Sequence, residues 1–359
     1  MKKILVAMSG GVDSSVAAKL LVDAGHECIG CTMKLYDNED IGISRGHTCC
    51  SLDDVEDARQ VAYRLKMPYY VFRFSDDFRE KIIGRFVKSY EHGITPNPCI
   101  DCNRYMKFDR LYERARVLGY DHIATGHYAQ IEEKDGVYFL KKAADPAKDQ
   151  SYVLYSMTQE QLAHTLFPLG GFCKDKTREL AREGGFLNAD KPDSQDICFV
   201  PDGDYAAAIE RFSGKTSAPG DFVDETGRVL GRHRGIIHYT IGQHKGLGLY
   251  SHEKRFVLRI DAANNTVVLG EEARLFRRDA SVREINWISG SAPAAPIRCA
   301  VKIRYRQKEQ PATLTPTGEN RAEILFDEPQ RAVTPGQAAV FYDGDTVLGG
   351  GVLTGEGGE

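Results

Sequence analysis

The chain opens on a short apolar run, Ile4-Leu5-Val6-Ala7, that leads through Met8 into Ser9-Gly10-Gly11-Val12-Asp13-Ser14. Behind that comes Val16-Ala17-Ala18-Lys19-Leu20-Leu21, apolar at helical spacing and closed by Gly25. The pattern predicts strand, tight turn, helix. Gly10 and Gly11 have no Cβ, so the backbone there can turn sharply and come close to a ligand. The amides of such a loop and of the first helical turn converge on one point and favour an anion. Ser9 and Ser14 add hydroxyl donors. Asp13 sets a carboxylate beside the anion, a pairing that a divalent cation would bridge.

No Gly-Lys-Ser/Thr follows the glycines, so this is not a Walker loop, and it is not the dinucleotide Gly-x-Gly-x-x-Gly. It resembles the Ser-Gly-Gly-x-Asp-Ser loop of the ATP pyrophosphatases. Those enzymes cleave ATP between the α and β phosphates and transfer AMP to a substrate oxygen.

Further along, Cys28 to Met33 predicts a second strand with Met33 at its carboxyl end, where ligands lie in open α/β sheets. Asp37 to His47 reads as a polar loop. Cys49-Cys50 read as small packing residues, and Ser51-Leu52-Asp53-Asp54 as a capping pattern that opens a helix running to about Leu65. Tyr69 to Phe74 predicts a strand, Phe78 to Tyr90 and Met106 to Leu118 helices, and His122 to Tyr128 another strand. In the run Gly93 to Asn103, Pro96 and Pro98 exclude helix and fix a rigid loop carrying Cys99 and Cys102. Val137 to Ala143 predicts a hairpin strand, Lys148 to Tyr152 a polar loop and Lys176 to Glu183 a short helix. Strands alternate with helices up to Gly203, which predicts a doubly wound parallel sheet.

Beyond Gly203 the alternation stops. Ile236 to Ile241, Phe256 to Ile260 and Thr266 to Leu269 are short strand candidates, with a hairpin turn at Asn264-Asn265. Ala300 to Arg306, Arg321 to Phe326, Ala338 to Tyr342 and Thr346 to Leu348 predict a β-barrel. The fold class is therefore α/β, a doubly wound parallel sheet followed by two small mainly-β domains. The expected divisions are residues 1–203, 204–285 and 286–359, which suits a chain of 359 residues.

A net charge of −4 gives no global signal for nucleic acid, so such a surface must be local. Thr226 to His252 is free of acids and holds Arg228, Arg232, Arg234, Lys245, His233, His238, His244 and His252, with Tyr239 and Tyr250 interleaved. Alternation along a strand puts Lys302, Arg304, Arg306 and Lys308 on one face beside Tyr305. Two basic clusters appended to a nucleotide site predict an RNA surface. The nine scattered cysteines suggest a reducing compartment and reactive thiols rather than a disulfide scaffold. Met1-Lys2-Lys3 and the five apolar residues after it are too short for a signal peptide or a membrane span, so the expected location is cytoplasmic.

Over almost its entire length the chain resembles the tRNA-specific 2-thiouridylases. The resemblance rests on Ser9 to Ser14, Gly93 to Asn103, Ala124-Thr125-Gly126-His127-Tyr128, Lys148-Asp149-Gln150-Ser151-Tyr152 and Phe167-Pro168-Leu169-Gly170. It continues through Ser194 to Phe199, Tyr239-Thr240-Ile241-Gly242-Gln243, Lys302-Ile303-Arg304-Tyr305 and Thr334-Pro335-Gly336-Gln337.

It implies a sheet domain of the adenine nucleotide α-hydrolase type and replacement of O2 of the wobble uridine of tRNA by sulfur. ATP would be held by Ala7, Met8, Ser9, Gly10, Gly11, Val12, Asp13, Ser14, Met33 and Gly126, with Mg2+ at Asp13. Asn97, Pro98 and Cys99 would approach the target base. His127, Lys148, Asp149, Gln150, Arg304, Tyr305 and Gln337 would contact tRNA. Cys102 would be the nucleophile, and Cys198 the persulfide carrier that forms a transient disulfide with it. The partner implied is a persulfide donor, a cysteine desulfurase or sulfur relay protein, and no membrane.

Arg104 and Lys107 are positive charges near Cys102 in sequence that would favour a thiolate. Two departures stand out. Many members carry an acid where this chain has Cys99, and the common Gly-Gln-Arg-Lys-Gly is here Gly242-Gln243-His244-Lys245-Gly246, a pH-sensitive replacement. Cys99-x-x-Cys102 with a distant Cys198 also resembles the three-cysteine set of iron–sulfur-dependent tRNA thiolases, which would bring a [4Fe-4S] cluster. Two rivals remain at this level. One is an amidating ligase or another tRNA thiolase; the other is a non-catalytic tRNA-binding or sulfur-carrying protein.

Overall fold

The computed structural model of the chain describes residues 1–37, 52–193, 197–249 and 253–355. The polar loop beyond Asp37, Cys49-Cys50, the cap at Ser51, Ser194 to Asp196, Tyr250 and His252 lie outside the described residues.

The first domain contributes β1 (Lys3–Ala7), β2 (Glu27–Lys34), β3 (Tyr69–Arg73), β4 (His122–Ala124), a hairpin of β5 (Gln130–Lys134) and β6 (Val137–Lys141), and β7 (Thr165–Leu166). Five of these form one sheet in the order β3-β2-β1-β4-β7, with every pairing parallel. Ile4, Leu5 and Val6 are wholly buried, as a strand covered on both faces must be. Ile4 and Val6 pack with Val16, Ala58 and Ala181 on one face. Leu5 packs with Phe78, Phe108 and Leu111 on the other. Strand order reverses direction beside β1, and the crevice of an open α/β sheet lies at the carboxyl ends of strands at such a reversal.

Helices α1 (Val12–Asp23) and α2 (Leu52–Arg64) follow the expected limits. Helix α3, residues 75–91, begins as Ser75–Phe78, widens to a π-helix over Arg79–Ile83 and continues as Gly84–Glu91. The run around Cys99 corrects the sequence reading: it is a loop only as far as Asn97. Helix α4, residues 98–117, starts at Pro98–Asp101, is π-helical over Cys102–Arg110 and ends as Leu111–Val117. Proline breaks a helix interior, but at the first helical position its missing N–H has no partner to lose and its fixed φ suits the helix. The strand after α4 is also shorter than expected and stops at Ala124.

The second domain pairs β8 (Gly220–Val223), β9 (Val229–His233), β10 (Phe256–Asp261) and β11 (Thr266–Gly270) in the order β10-β11-β8-β9. Asn265, at φ +49°, makes the predicted hairpin turn. Ile236 to Ile241 is not a strand; Ile236–His238 forms a 3-10 turn entered through Gly235 at φ +126°. Ile236 and Ile237 are both buried, so the run was apolar without the alternation of a half-covered strand.

In the last domain β12 (Phe276–Trp287), β13 (Ile297–Lys302), β14 (Gln310–Gly318), β15 (Arg321–Arg331), β16 (Ala338–Asp343) and β17 (Thr346–Leu353) close into a six-stranded barrel, with β17 pairing back to β12. Ala322, Ile324 and Phe326 point inward and alternate with exposed Arg321, Glu323 and Leu325. Strand β12 runs through residue 285, and its partners β15 and β17 belong to the barrel. The β5-β6 hairpin of the first domain extends the barrel sheet, Thr346 pairing with Lys141.

Candidate active site at the carboxyl edge of the parallel sheet

The glycine loop stands where β1 ends. Gly10 has φ +76°, and a Cβ on it would lie 2.3 Å from the Asp54 carbonyl oxygen, so only glycine fits. Ser14 Oγ accepts from Ser9 N (3.1 Å) and donates to the Gly11 carbonyl (3.1 Å), which folds the loop onto the start of α1. Asn188 Nδ2 donates to the Gly10 carbonyl at 2.9 Å, and Lys191 joins Asp54 and Asp57 at 2.6 and 2.7 Å, bracing the loop from behind. Met8 and Val12 are buried in the core, so only their backbones face the crevice. Gly126, after β4, closes over the same point: a Cβ there would lie 2.7 Å from Ser14 N.

Asp13 is not alone. Lys174 Nζ binds its Oδ1 at 2.6 Å and Tyr128 donates its hydroxyl to the same oxygen at 2.9 Å. Lys174 also reaches Asp193 at 2.7 Å, and Lys148 meets Asp193 at 2.8 Å. Burial alone would raise the Asp193 carboxyl, but the bonds from Lys148 and Lys174 hold it below its usual range. The crevice thus carries two ammonium groups clamped by carboxylates, an arrangement able to receive a polyphosphate. Lys174 and Asp193 were not among the sequence candidates. The available signal was Lys174 at the first position of its helix (Lys174–Glu183), where a cation opposes the helix dipole unless an anion holds it. Asp13 offers a single carboxylate, which fits Mg2+ bound mostly by phosphates and water.

The expected thiols lie at the same edge of the sheet. Tyr36, just beyond β2, donates its hydroxyl to the Cys198 carbonyl at 2.8 Å. Phe199, next in the chain, packs edge-on against Phe78 and Phe86 of α3. Cys102 begins the π-helical part of α4, and both it and Cys198 are half-buried while Cys99 is exposed. Asn97 caps α4 by accepting from Cys99 N at 3.2 Å. Lys107 Nζ approaches His127 Nε2 at 3.4 Å, and His127 Nδ1 pairs with Thr125 Oγ1 at 2.7 Å. Burial, and then the Lys107 charge, push His127 well below the ordinary imidazole range. The ring is neutral and accepts from the ammonium, which anchors α4 to the loop after β4. Arg104 instead lies among Tyr155, Tyr105 and Asp101, so of the two cations near Cys102 in sequence it is Lys107 that reaches the loop after β4.

Several expected RNA contacts have internal partners. His127 is buried. Asp149 accepts from Ala143 N and Ser151 N, both at 3.1 Å. Gln150 exchanges bonds with Tyr128, its Oε1 accepting from Tyr128 N at 2.9 Å. Gln337 Nε2 donates to the Thr95 carbonyl at 2.8 Å. Strand β13 ends at Lys302, so Arg304, Arg306 and Lys308 lie in the turn that follows and do not share a strand face with Lys302. Arg304 donates to the Ala332 carbonyl at 2.7 Å. Tyr305 is partly exposed beside the Tyr152 ring, with Lys302 over both rings. Burial, then Asp149 and Cys99 nearby, push its phenol up, which places a barrel side chain close to the thiol helix.

The acid-free run does not form one basic face either. His233 is buried against Phe222 and Tyr239, with its Nε2 on the Asn265 carbonyl. Tyr239 is buried too, and Arg228 pairs with Asp224. His244 lies 5.2 Å from the Phe256 ring, and desolvation followed by Lys254, Lys245 and Arg331 lowers it, so it is neutral where an arginine would be charged.

Among the described residues no group of three or more His, Cys, Asp or Glu is placed to hold a metal ion. Among the same residues no helix is long and apolar enough to cross a membrane.

Residues 2–202 match a family model described as the tRNA methyl transferase HUP domain. Residues 209–271 match the tRNA methyl transferase PRC-barrel domain, and residues 277–353 the aminomethyltransferase beta-barrel domain. The tRNA-specific 2-thiouridylase MnmA of Clostridioides difficile is 50% identical over 354 residues, 98% of either chain. Its counterpart in Geotalea uraniireducens is 51% identical over 98% of this chain and 94% of its own. A solved 4-thiouridine synthetase in complex with RNA and ATP is 21% identical, covers 56% of this chain and 45% of its own, and has a TM-score of 0.37. By its near full-length identity with curated relatives, the chain belongs to the tRNA-specific 2-thiouridylase family.

Proposed function

We propose that the protein is a tRNA sulfurtransferase that uses ATP to exchange O2 of a wobble uridine for sulfur, releasing AMP and pyrophosphate. One observation carries this reading: both thiol-bearing segments converge on the edge of the sheet that holds the nucleotide loop. Cys198 is tied there through Tyr36 beyond β2, and α4 through the Lys107–His127 contact after β4.

The uridine oxygen is a poor leaving group. Its attack on the α-phosphate expels pyrophosphate and leaves AMP on O2. The loop amides, Lys174 and Lys148 receive the departing phosphates, and Mg2+ held at Asp13 would supply further charge neutralisation there. A persulfide on Cys198, loaded by a donor such as a cysteine desulfurase or relay protein, attacks C2 through its outer sulfur and AMP leaves. The Cys102 thiolate then attacks the Cys198 sulfur, the S–S bond to the base breaks, and the base is released as 2-thiouridine. What remains is a Cys102–Cys198 disulfide, which a thiol reductant must reopen before the next round.

The test is direct: purified protein, ATP, unmodified tRNA and a persulfide source. AMP, pyrophosphate and 2-thiouridine are expected. Cys198→Ser should still release pyrophosphate without thiolation, whereas Cys102→Ser should trap tRNA on the protein through a bond that dithiothreitol cleaves. ADP as product, or thiolation surviving both substitutions, would overturn the mechanism.

A further inference from the structure

Tyr128 meets the nucleotide loop with its side chain and the 148–150 loop with its backbone. The residue is buried, and its ring belongs to the core cluster that includes Ala143, Leu169 and Ala181. Its hydroxyl donates to Asp13 Oδ1 at 2.9 Å. Thr177 Oγ1 lies 3.0 Å from the same hydroxyl and itself donates to the Cys173 carbonyl at 3.2 Å. The phenol has one proton, and a charged carboxylate is the stronger acceptor for it. Burial, reinforced by the Asp13 charge, pushes the phenol up, so the proton stays on. Gln150 holds both backbone groups of Tyr128: its N donates to the Tyr128 carbonyl and its Oε1 accepts from Tyr128 N, each at 2.9 Å. The Gln150 side chain gives only its carbonyl oxygen to this exchange, which leaves its amide nitrogen for RNA.

We propose that Tyr128 is a positioning residue that couples RNA seating to the nucleotide site: RNA at the 148–150 loop steadies Tyr128 through Gln150, and the phenol then holds Asp13 in the orientation that receives ATP. A single residue spans the two sites. Asp13 has a second hold, Lys174 at 2.6 Å, but that ammonium is shared with Asp193 at 2.7 Å and is drawn towards phosphate when nucleotide arrives. A neutral hydroxyl is not drawn away in this manner, so the phenol is the bond that persists while the polyphosphate is bound. ATP cleavage then answers to the presence of RNA, and ATP is spared when no uridine is in place. The coupling is reciprocal: whatever factor RNA adds to nucleotide affinity, nucleotide adds to RNA affinity.

The choice of ligands rests on the thiolase reading, while the measurement is of binding alone. The probes are unmodified tRNA and α,β-methylene ATP, whose α–β bridge resists cleavage. Affinity for the analogue is measured by calorimetry on the full-length protein with Mg2+, with and without saturating tRNA. Wild type should bind the analogue about tenfold more tightly when tRNA is present, within the usual range of such couplings. Tyr128→Phe removes only the hydroxyl; it should bind the analogue equally in both conditions to within about twofold, and bind tRNA alone as wild type does. Thr177→Val leaves the phenol to Asp13 and should keep the wild-type difference, which separates the Asp13 bond from a general loosening around the buried ring. A difference retained in Tyr128→Phe, or absent in wild type, would overturn the proposal. If the coupling behaves as expected and no 2-thiouridine forms in the thiolation assay, the thiolase reading fails and the coupling stands. If thiolation proceeds while Tyr128→Phe couples like wild type, the coupling role alone fails.

Discussion

Asn97 offers the sharpest test of how the thiol helix is built. Pro98 has no N–H, so the first donor of the opening turn that needs a partner is Cys99 N, and Asn97 Oδ1 takes it at 3.2 Å. Asn97→Ala removes that acceptor and leaves the amide to water. Losing a side-chain cap costs about 1 kcal/mol. At 1.4 kcal/mol per tenfold, the first turn should then open roughly five times as often. Hydrogen exchange at Cys99, Ile100 and Asp101 reads this directly, and thiolation should fall by a similar factor as Cys102 is held less well. Asn97→Ser caps almost as well as Asn, so it should restore both exchange and thiolation to near wild type. The reasoning is refuted if Asn97→Ala leaves exchange unaltered, or if Asn97→Ser restores exchange yet stays as inactive as Asn97→Ala; either result would assign the side chain to the target base.

The remaining tests address charge and thiol chemistry. Asp193 is held below its usual carboxyl range by Lys148 and Lys174 against the opposing effect of burial, so its contribution to stability is full above the unfolded value near pH 4 and is lost as pH falls through the lower folded value. Acid unfolding followed by circular dichroism should show this loss, and Asp193→Asn should be less stable at pH 7 with a flatter acid limb. Binding of tRNA should weaken steeply with salt. Arg304→Ala should flatten that slope by about one unit, whereas an unchanged slope with a lower melting temperature would confine Arg304 to its bond with Ala332. Burial pushes the Cys28 and Cys299 thiols up to about 11, so mass spectrometry after brief maleimide treatment at pH 7 should find both unmodified in native protein while exposed Cys99 and Cys173 are labelled; equal labelling of Cys299 would contradict the closed barrel.

Much of the fold was legible because period changes are local. The switch from the apolar run at Ile4 to helical spacing at Val16 located β1, the loop and α1 without tertiary information. The misreadings have one physical origin, namely that a residue type was read without its partner. Pro98 was read as a breaker because the helix it starts lies after it and the cap that stabilises that start is a side chain. Ile236-Ile237 looked like strand because both are apolar, yet both are buried in one turn. Tyr152 sat in a polar run and is wholly buried against the barrel. The basic residues after Lys302 lost their common face because the strand ends there. Lys174 and Asp193 complete the Asp13 site from 161 and 180 residues away in sequence, a closure that no local pattern encodes.

The π-helical stretch in α4 has a consequence for the chemistry. In a regular α-helix a residue five positions on is rotated by about 140°, nearly to the opposite side. The i→i+5 bonding over Cys102–Arg110 winds more residues into each turn and brings Lys107 round towards the side of Cys102. The same lysine is fixed by the neutral His127 ring, and the backbone next to His127, at Gly126, touches the start of α1 at Ser14. In the mechanism proposed above, the Cys102 thiol acts as a thiolate near departing phosphates, which repel it. In the proposed mechanism Lys107, on the same helix and set against the His127 ring, would supply positive charge that offsets this repulsion. Straightening the stretch into a plain α-helix would preserve every residue and still carry Lys107 away from the thiol. In that mechanism the widened turn would serve the site together with the side chains it aligns.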